Sequence, residues 1–412
     1  MNRGERVRLT IERPAAGGRM IARHDGAIVF VSGAIPGEVV EGEVEKVQRG
    51  TVWAAARQII ERSPDRVDAP EGACGGSVFA HIAYDRQRQI KSAIIEDAFR
   101  RIGRISLESP VDVAASPIDG YRMRARLHLR NGRIGFFREG SHSLCDAAPT
   151  RQLRGDTIDV IGRLEQSLAG SSRPIVGDIE IAENVAASQR AIHFELLPDA
   201  DPSGLARVAQ VEGVTGASCA HPESSRTIEL FGSALVSDQI RGVTLTRHVR
   251  SFFQGNRYLL DSFAEHVVSH VGPGPLVDLY AGVGLFSLTA AAAGAAPVTA
   301  VEGDAFAARD LKRNSNGAIA VVEMPVEKFA KRSGDAIATV IVDPPRTGMS
   351  KDALARAIAV AAARFIYVSC DVATLARDTR VLLDAGYRIE SIRAFDLFPN
   401  TAHVETVISF AR

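Results

Sequence analysis

Cysteine is scarce in this sequence: four residues in 412, at Cys74, Cys145, Cys219 and Cys370. So few, so widely spaced, argue against a disulfide framework and fit a reducing compartment, the cytoplasm. Net charge is also missing, because Lys+Arg and Asp+Glu both stand at 49. The chain as a whole therefore does not advertise a polyanionic partner, and any nucleic-acid contact must come from local basic patches. Long apolar runs are absent too. The stretch 288–296 is among the longest, and it is too short and too rich in alanine to span a bilayer, so no membrane partner is expected. Met1 to Glu12 is charged throughout, and no signal peptide is read there. What remains is an ordinary soluble balance, 46% hydrophobic and 24% charged, with length enough for two or three domains.

Residues 1–62 read as all-β. Val7, Leu9 and Ile11 alternate with polar neighbours, 27–31 follows a turn at Asp25-Gly26, 37–47 alternates again, and 51–56 is a further short strand. Short strands punctuated by Gly and Pro suggest a small barrel of oligonucleotide-binding type, which serves as an RNA-binding module or as a scaffold. A polar connector follows at 63–76. Residues 84–100 have helical periodicity, with Ile90, Ala93, Ile94 and Ala98 on one face and Arg, Lys and Gln on the other. Arg122, Arg124, Arg126, His128 and Arg130 then fall on every second residue. In a strand they share one face, with Met123, Ala125, Leu127 and Leu129 on the other. Asn131-Gly132 signals a hairpin to a return strand at 134–138. The arginine row suits a phosphate backbone, or it is a solvated face. With strands at 173–182 and 191–196, residues 63–250 make a central α+β domain.

From residue 251 the pattern becomes strand–helix alternation, the mark of a parallel sheet with crossover helices. A Rossmann-like α/β domain is expected over 251–412. A helix is read at 256–271, and strands at 275–280, 297–301, 318–324, 338–342 and 365–368. Two more, 387–395 and 404–410, would close the sheet as an antiparallel edge pair. Chemistry in such sheets gathers where strands end at their carboxyl side. Gly282 and Gly284 follow the first strand, where a ligand can approach the backbone closely. Glu302 closes the second, where a carboxylate can accept hydrogen bonds from ribose hydroxyls. The pair fits a nucleoside-bearing cofactor without choosing between NAD and S-adenosylmethionine. Asp343-Pro344-Pro345-Arg346 ends the fourth. Ser369-Cys370-Asp371 ends the fifth, and its thiol is a candidate nucleophile or a small buried hydrophobe.

Several motifs occur in one order: Phe253-Gln254-Gly255-Asn256, Asp278-Leu279-Tyr280-Ala281-Gly282-Val283-Gly284, Asp343-Pro344-Pro345-Arg346-Thr347-Gly348, Tyr367-Val368-Ser369-Cys370 with Thr374-Leu375-Ala376-Arg377-Asp378, and Asp396-Leu397-Phe398-Pro399 with His403-Val404-Glu405-Thr406. Together they resemble the RNA uracil-carbon-5 methyltransferases that use S-adenosylmethionine. The resemblance spans the last domain. It extends more weakly to the arginine strand and to the first 62 residues, which are similar to that family's TRAM domain. It implies Cys370 as the nucleophile and Glu405 as the base. It implies cofactor contacts at Gln254, Tyr280, Gly282, Glu302 and Asp343, and RNA contacts at Arg122, Arg124, Arg126 and Arg346. Carbon 5 of uracil is too poor a nucleophile to take a methyl group unaided, and a thiolate adding to carbon 6 activates it. The barrel points to the ribosomal branch, so ribosomal rather than transfer RNA, 23S rRNA in particular, is the expected partner of a monomer. Two alternatives stay open: a methyltransferase of the same fold on another substrate, and an RNA-binding factor without catalysis.

Two features depart from the family pattern. Asp371-Val372 stands where Asn-Pro is usual, and an added carboxylate beside a thiol tends to raise its pKa. Many relatives also hold an iron–sulfur cluster through four cysteines. Here only Cys74 fits, while Asp68, Ser77 and Thr150 fall at the other places, and Cys145 as a substitute still leaves only two thiols. No cluster and no other metal is expected.

Overall fold

The structure, a computed structural model, describes residues 1–69, 74–169, 175–222, 226–331 and 336–412. Five strands close a barrel in the order β1-β2-β3-β5-β4: β1 (Arg6–Pro14), β2 (Met20–His24), β3 (Ala27–Ser32), β4 (Val39–Gln48) and β5 (Thr51–Glu61). The alternation of β1 turns Val7, Leu9 and Ile11 inward, where they meet Val29, Val31, Val40 and Val44. β2 is absent from the sequence reading because its apolar run is only Met20-Ile21-Ala22, too short to show a period.

α1 (Tyr84–Ala98) continues through a π-helical turn at Phe99–Gly103. Its apolar face is the expected one. Its polar face is not all solvated, since Gln87 and Lys91 are buried. β6 (Val113–Ala114) follows. Next come β7 (Arg124–Arg130), β8 (Arg133–Phe137) and β9 (Leu144–Asp146), then α2 (Gly155–Leu168) and β10 (Val176–Glu183), β11 (Arg190–Leu196), β12 (Gly216–Ala220) and β13 (Ile228–Gly232). These strands form one sheet in the order β13-β12-β11-β10-β7-β8-β9. α2 packs Val160, Ile161 and Leu164 on the Leu127, Ile179, Ile181 and Phe194 side of it. Asn131 and Gly132 both take positive φ, 51° and 76°, as a two-residue hairpin turn requires. Residues 173 and 174 of the expected strand, and 70–73 of the connector, lie outside the described residues.

The reading of the cysteines as standing apart needs correction for one pair. Cys74 and Cys145 are disulfide-bonded, 71 residues apart in sequence and 5.9 Å apart between Cα atoms. The β8–β9 hairpin brings them together: Cys74 bridges Arg138, and the Gly75 amide donates to the Phe137 carbonyl. Two of the residues that stand where relatives carry cluster cysteines are bonded to the backbone instead. The Ser77 hydroxyl donates to the Cys74 carbonyl and the Thr150 hydroxyl to the Ala147 carbonyl. This donor set does not fit an iron–sulfur cluster.

A hairpin, β14 (Leu235–Ile240) and β15 (Val243–His248), leads to α3 (Leu260–Ser269). α3 starts later than expected because the Asn256 side chain accepts from the Tyr258 and Leu259 amides and shapes a turn there. The last sheet contains β16 (Leu276–Leu279), β17 (Val298–Glu302), β18 (Ala320–Glu323), β19 (Thr339–Val342), β20 (Arg364–Ser369), β21 (Arg388–Phe395) and β22 (Glu405–Ala411). Its helices are α4 (Leu285–Ala292), α5 (Ala305–Ser315), α6 (Lys351–Ala359) and α7 (Val372–Asp384). Strand order is β18-β17-β16-β19-β20-β22-β21-β6. β16 to β20 are parallel, and β16 and β19 are buried at every position, as strands covered on both faces must be. β21 and β22 do pair antiparallel, but they are not the edge. β22 lies between β20 and β21, and β6 reaches across from the middle of the chain to pair beyond β21. Order reverses between β16 and β19, which opens a crevice at their carboxyl ends. One apolar cluster runs from the barrel through Phe79, Ile90 and Ile94 to Val340, Phe365 and Tyr367 of this sheet, so barrel and sheet share a core. Among the described residues no helix is long and apolar enough to cross a membrane.

Candidate active site at the carboxyl edge of the parallel sheet

After β16 the chain turns sharply. Tyr280, Gly282 and Gly284 all have positive φ, at 62°, 57° and 100°. A Cβ on Gly284 would stand 2.7 Å from Leu288 Cδ1 and 2.8 Å from Leu311 Cδ1, so this glycine lets α4 pack tightly. A Cβ on Gly282 would meet nothing within 4 Å, which leaves open space against the backbone. Glu302 accepts from the Gly282 amide and from the Asp304 amide, each at 2.7 Å, and so ties the loops after β16 and β17 together. Its pKa is raised, chiefly by burial. Asp278 is fully buried in β16. Its Oδ2 accepts from the Ser287 amide at 3.0 Å, and its Oδ1 has no hydrogen-bond partner among the described residues. Burial, with Asp343 and Glu302 nearby, pushes its pKa up to about 8. Sequence reasoning missed Asp278 as a site group. Its signal was there: an acid inside an all-apolar strand.

Asp343 follows β19 and accepts from Gln254 Nε2 at 3.1 Å, which joins two of the expected cofactor residues. Burial first, and then Glu302, raises its pKa to about 7, against the Gln254 hydrogen bond. β20 and β22 supply the rest. Their antiparallel register pairs Ser369 with Thr406. One step further sets Cys370 against Glu405. Burial pushes the half-buried Cys370 thiol up to about 12, Glu405 adds to the rise, and Arg346 opposes it. Glu405 is 2% exposed. Burial, then Asp343, raises its carboxyl well above the usual range, again against Arg346. His403, two residues earlier, is depressed to about 4 by burial and then by Arg346 and Lys91.

Asp371 acts on the thiol in the expected direction, but it is the least of the causes named. Its main work is structural. Its Oδ1 accepts from the Thr374 amide at 2.8 Å and caps α7. Asn and Asp are equivalent helix caps, so the exchange keeps the local geometry.

The segment that carries Glu405 is held from behind by α1. Lys91 Nζ donates to Asp396 Oδ1 at 2.5 Å and to the Phe398 carbonyl at 3.0 Å, and both charged side chains are fully buried. Gln87 Nε2 donates to Asn400 Oδ1, and the Asn400 amide donates back to Gln87 Oε1, each at 2.9 Å. The sequence periodicity placed Lys91 and Gln87 on the polar face of the helix, opposite the apolar one. Their partners lie more than 300 residues away, at separations of 305 and 313, which no local period reveals.

The arginines divide. Arg122 lies before β7, at a bridge to Asn256. It donates from Nη1 to Gln152 Oε1 at 2.6 Å, and its charge reaches His403. Arg124 and Arg126 instead face a row of carboxylates on β10 and β11. Arg124 pairs with Glu180 at 2.6 Å, and Arg126 with Asp178 at 2.6 Å and Glu195 at 2.9 Å. His128 adds a contact to Asp178 at 2.8 Å. The expected basic row is therefore matched by acids across the sheet. Cys370, Glu405, Asp343 and Arg346 form one electrostatic cluster. Gln254, Gly282 and Glu302 border it, and Tyr280 stands in the turn between.

An open sheet of this order, with its ligand-accessible turn at the switch point, has the architecture of a Rossmann-like methyltransferase. The tRNA (Uracil-5-)-methyltransferase family model matches residues 239–412, and the TRAM domain model matches residues 1–55. The 23S rRNA (uracil(1939)-C(5))-methyltransferase RlmD of Methylococcus capsulatus is 31% identical over 443 residues, covering 99% of this chain and 97% of the relative. An uncharacterized RNA methyltransferase of Halalkalibacterium halodurans is 30% identical over 453 residues at the same coverage. The tRNA (uracil-54, C5)-methyltransferase of Pyrococcus abyssi, solved in complex with S-adenosyl-L-homocysteine, has a TM-score of 0.79 at 24% identity, covers 98% of this chain and 99% of its own, and shares the fold. The chain belongs to the RNA (uracil-5-)-methyltransferase family, and its activity is methylation of RNA uracil at carbon 5.

Proposed function

We propose that this enzyme methylates a uridine of 23S ribosomal RNA, with S-adenosylmethionine as methyl donor, Cys370 as nucleophile and Glu405 as base. The observation that carries the reading is the β20–β22 register, which sets Cys370 against Glu405. The ribosomal assignment is supported by the RlmD relatives, which this chain matches over almost its whole length, barrel included. The chain is read as a barrel at 1–62, a central RNA-facing part at 63–250 and the catalytic part at 251–412.

The residues fit the methyl donor. Asp278, Glu302, Asp343 and Glu405 are four buried carboxyls with raised pKa values around one crevice, and Asp278 Oδ1 lacks a hydrogen-bond partner among the described residues. Such a cluster is short of positive charge, and a cationic ligand favours the ionised form of each. Gly282 leaves the backbone approachable beside it. Gln254, Tyr280, Glu302 and Asp343 would hold the ligand. When bound, S-adenosylmethionine supplies a methyl group on a positively charged sulfur.

Cys370, its thiol proton given up to solvent, adds as the thiolate to carbon 6 of the flipped-out uracil, and the electron pair of the 5,6 double bond passes to an enolate. Arg346, whose charge already acts on both Cys370 and Glu405, stabilises that developing negative charge. Carbon 5 would then receive the methyl group supplied by the ligand that Gln254, Tyr280, Glu302 and Asp343 would hold, at the expense of its sulfur–methyl bond. Glu405 removes the proton left on carbon 5, the bond from Cys370 to carbon 6 breaks, and the double bond returns.

RNA carrying 5-fluorouridine tests this order of events. Fluorine on carbon 5 cannot be removed as a proton, so wild-type enzyme with cofactor should accumulate a covalent adduct that Cys370→Ala does not form. Binding without an adduct would instead support the non-catalytic reading. A modification map of RNA from a deletion strain checks the substrate: 5-methyluridine lost from transfer RNA alone would overturn the ribosomal assignment.

A further inference from the structure

A cleft of about 600 Å³ lies between β13, the start of β14 and α5. It contains none of the candidate active-site residues. α5 lines it with Phe306, Arg309, Asp310 and Arg313, which share one helical face by their spacing. Phe306 is the half-buried centre of a cationic and aromatic group. The Arg250 guanidinium stands 4.2 Å from the ring centroid and that of Arg309 5.6 Å, while the His248 ring stacks on it at 5.6 Å and 27°. Among the described residues, the acids that line the cleft are Asp310 and Glu229, and the Arg309 charge also acts on Glu323, which pairs with Lys312. Asp310 is buried and committed, because it accepts from the His248 amide, the Ser251 hydroxyl and Arg313 Nη1 at 2.6 to 2.7 Å. Glu229 is exposed and stands 3.6 Å from His248 Nε2. Arg309 is exposed and makes no ion pair among the described residues. Two guanidinium groups, those of Arg250 and Arg309, thus stand over one half-buried ring, and Arg313 lines the cleft beside them, in a chain whose net charge is zero.

An aromatic surface set among guanidinium groups is the chemistry that takes an unstacked base together with its phosphate. The volume is in the range of small-ligand sites. We propose that this cleft is a second RNA-binding site, which holds a nucleotide of the substrate RNA at a distance in sequence from the reacting uridine. The proposal rests on the function given above. An RNA segment is favoured over a free mononucleotide because the cleft is open along the outer edge of the seven-stranded sheet, where β13 is the last strand.

Arg309→Glu tests it, with a 23S rRNA fragment as the probe and fluorescence anisotropy as the readout. Arg309 touches no group of the catalytic cluster. Its reversal should raise the RNA Kd about tenfold and lower the slope of log K against log salt by about one. Adduct formation at saturating 5-fluorouridine RNA should be unchanged, which also reports that the variant folds. Arg309→Lys should keep the affinity. RNA with 4-thiouridine outside the target loop should photo-cross-link to the peptide carrying Phe306. An unchanged Kd and salt slope in Arg309→Glu would overturn the second site, as would full competition by uridine monophosphate against that cross-link. Wild-type protein that binds RNA but never forms the adduct would overturn the catalytic reading and leave the Arg309 effect standing.

Discussion

Free enzyme should resist alkylation at Cys370 near neutral pH, and the resistance should fall steadily as pH rises. Burial and then Glu405 hold the thiol up to about 12, with Arg346 offsetting only part of the rise. Only the thiolate reacts. At pH 8 about a quarter of an ordinary thiol of pKa about 8.5 is ionised, against about one part in ten thousand of Cys370, a deficit on the order of two thousandfold. A more basic thiolate is also the better nucleophile, and a Brønsted slope of about 0.4–0.5 over about 3.5 units returns about 25- to 55-fold. The deficit wins, and Cys370 should react about fifty to a hundred times more slowly than glutathione at pH 8. Below its pKa the rate should climb about tenfold per pH unit with no plateau before pH 10. Glu405→Gln removes the carboxyl whose ionised form raises the thiol pKa, and should speed the reaction at any pH where that carboxyl is ionised. Iodoacetamide labelling followed by peptide mapping measures this directly. Cys219 is fully buried and Cys74 and Cys145 are bonded, so they serve as internal controls. A rate that levels off by pH 8, or that equals glutathione's, would refute the reasoning and show a thiol activated before any ligand arrives.

Two further changes probe the frame around the site. Lys91→Met strands a buried Asp396 that already has one oxygen without a partner, and should lower stability by about 3–5 kcal/mol in urea unfolding. The double change Lys91→Met with Asp396→Leu should recover most of that loss; equal midpoints for wild type and Lys91→Met would sink the argument. Asp371→Ala removes the cap on α7 and should cost about 1 kcal/mol, while Asp371→Asn should be close to neutral and still form the 5-fluorouridine adduct. Loss of the adduct in Asp371→Asn, with folding intact, would mean that the carboxylate has a role beyond the cap.

What was legible in the residues was the run of strands in the last domain and the motif at which each ends, whereas short strands such as β2, β6 and β12 to β15 were not read. β16, β19 and β20 are short buried runs, and each ends at the motif that the chemistry needs, so Gly282, Asp343 and Cys370 could be placed one by one. What lies opposite a face is a matter of long-range pairing, and there the local pattern misled. The alternating arginines of β7 read as a phosphate platform or a solvated face, and their carboxylate partners Glu180, Asp178 and Glu195, 52 to 69 residues later, were out of reach of either reading. Lys91 read only as part of a polar helix face because Asp396 comes 305 residues later. The same limit hid the antiparallel entry of β22 between β20 and β21, which is what brings Glu405 to Cys370. The ion pairs of these arginines have a consequence for RNA. With Arg124 and Arg126 tied to carboxylates, Arg346 and Arg122 are the two expected RNA contacts whose charge acts on the reacting cluster. Two cations suffice to stabilise a flipped base and its charge, but they make too small a phosphate footprint to hold a folded RNA at physiological salt. The further contact proposed above falls to Arg309, which lies beside Phe306 and makes no ion pair among the described residues.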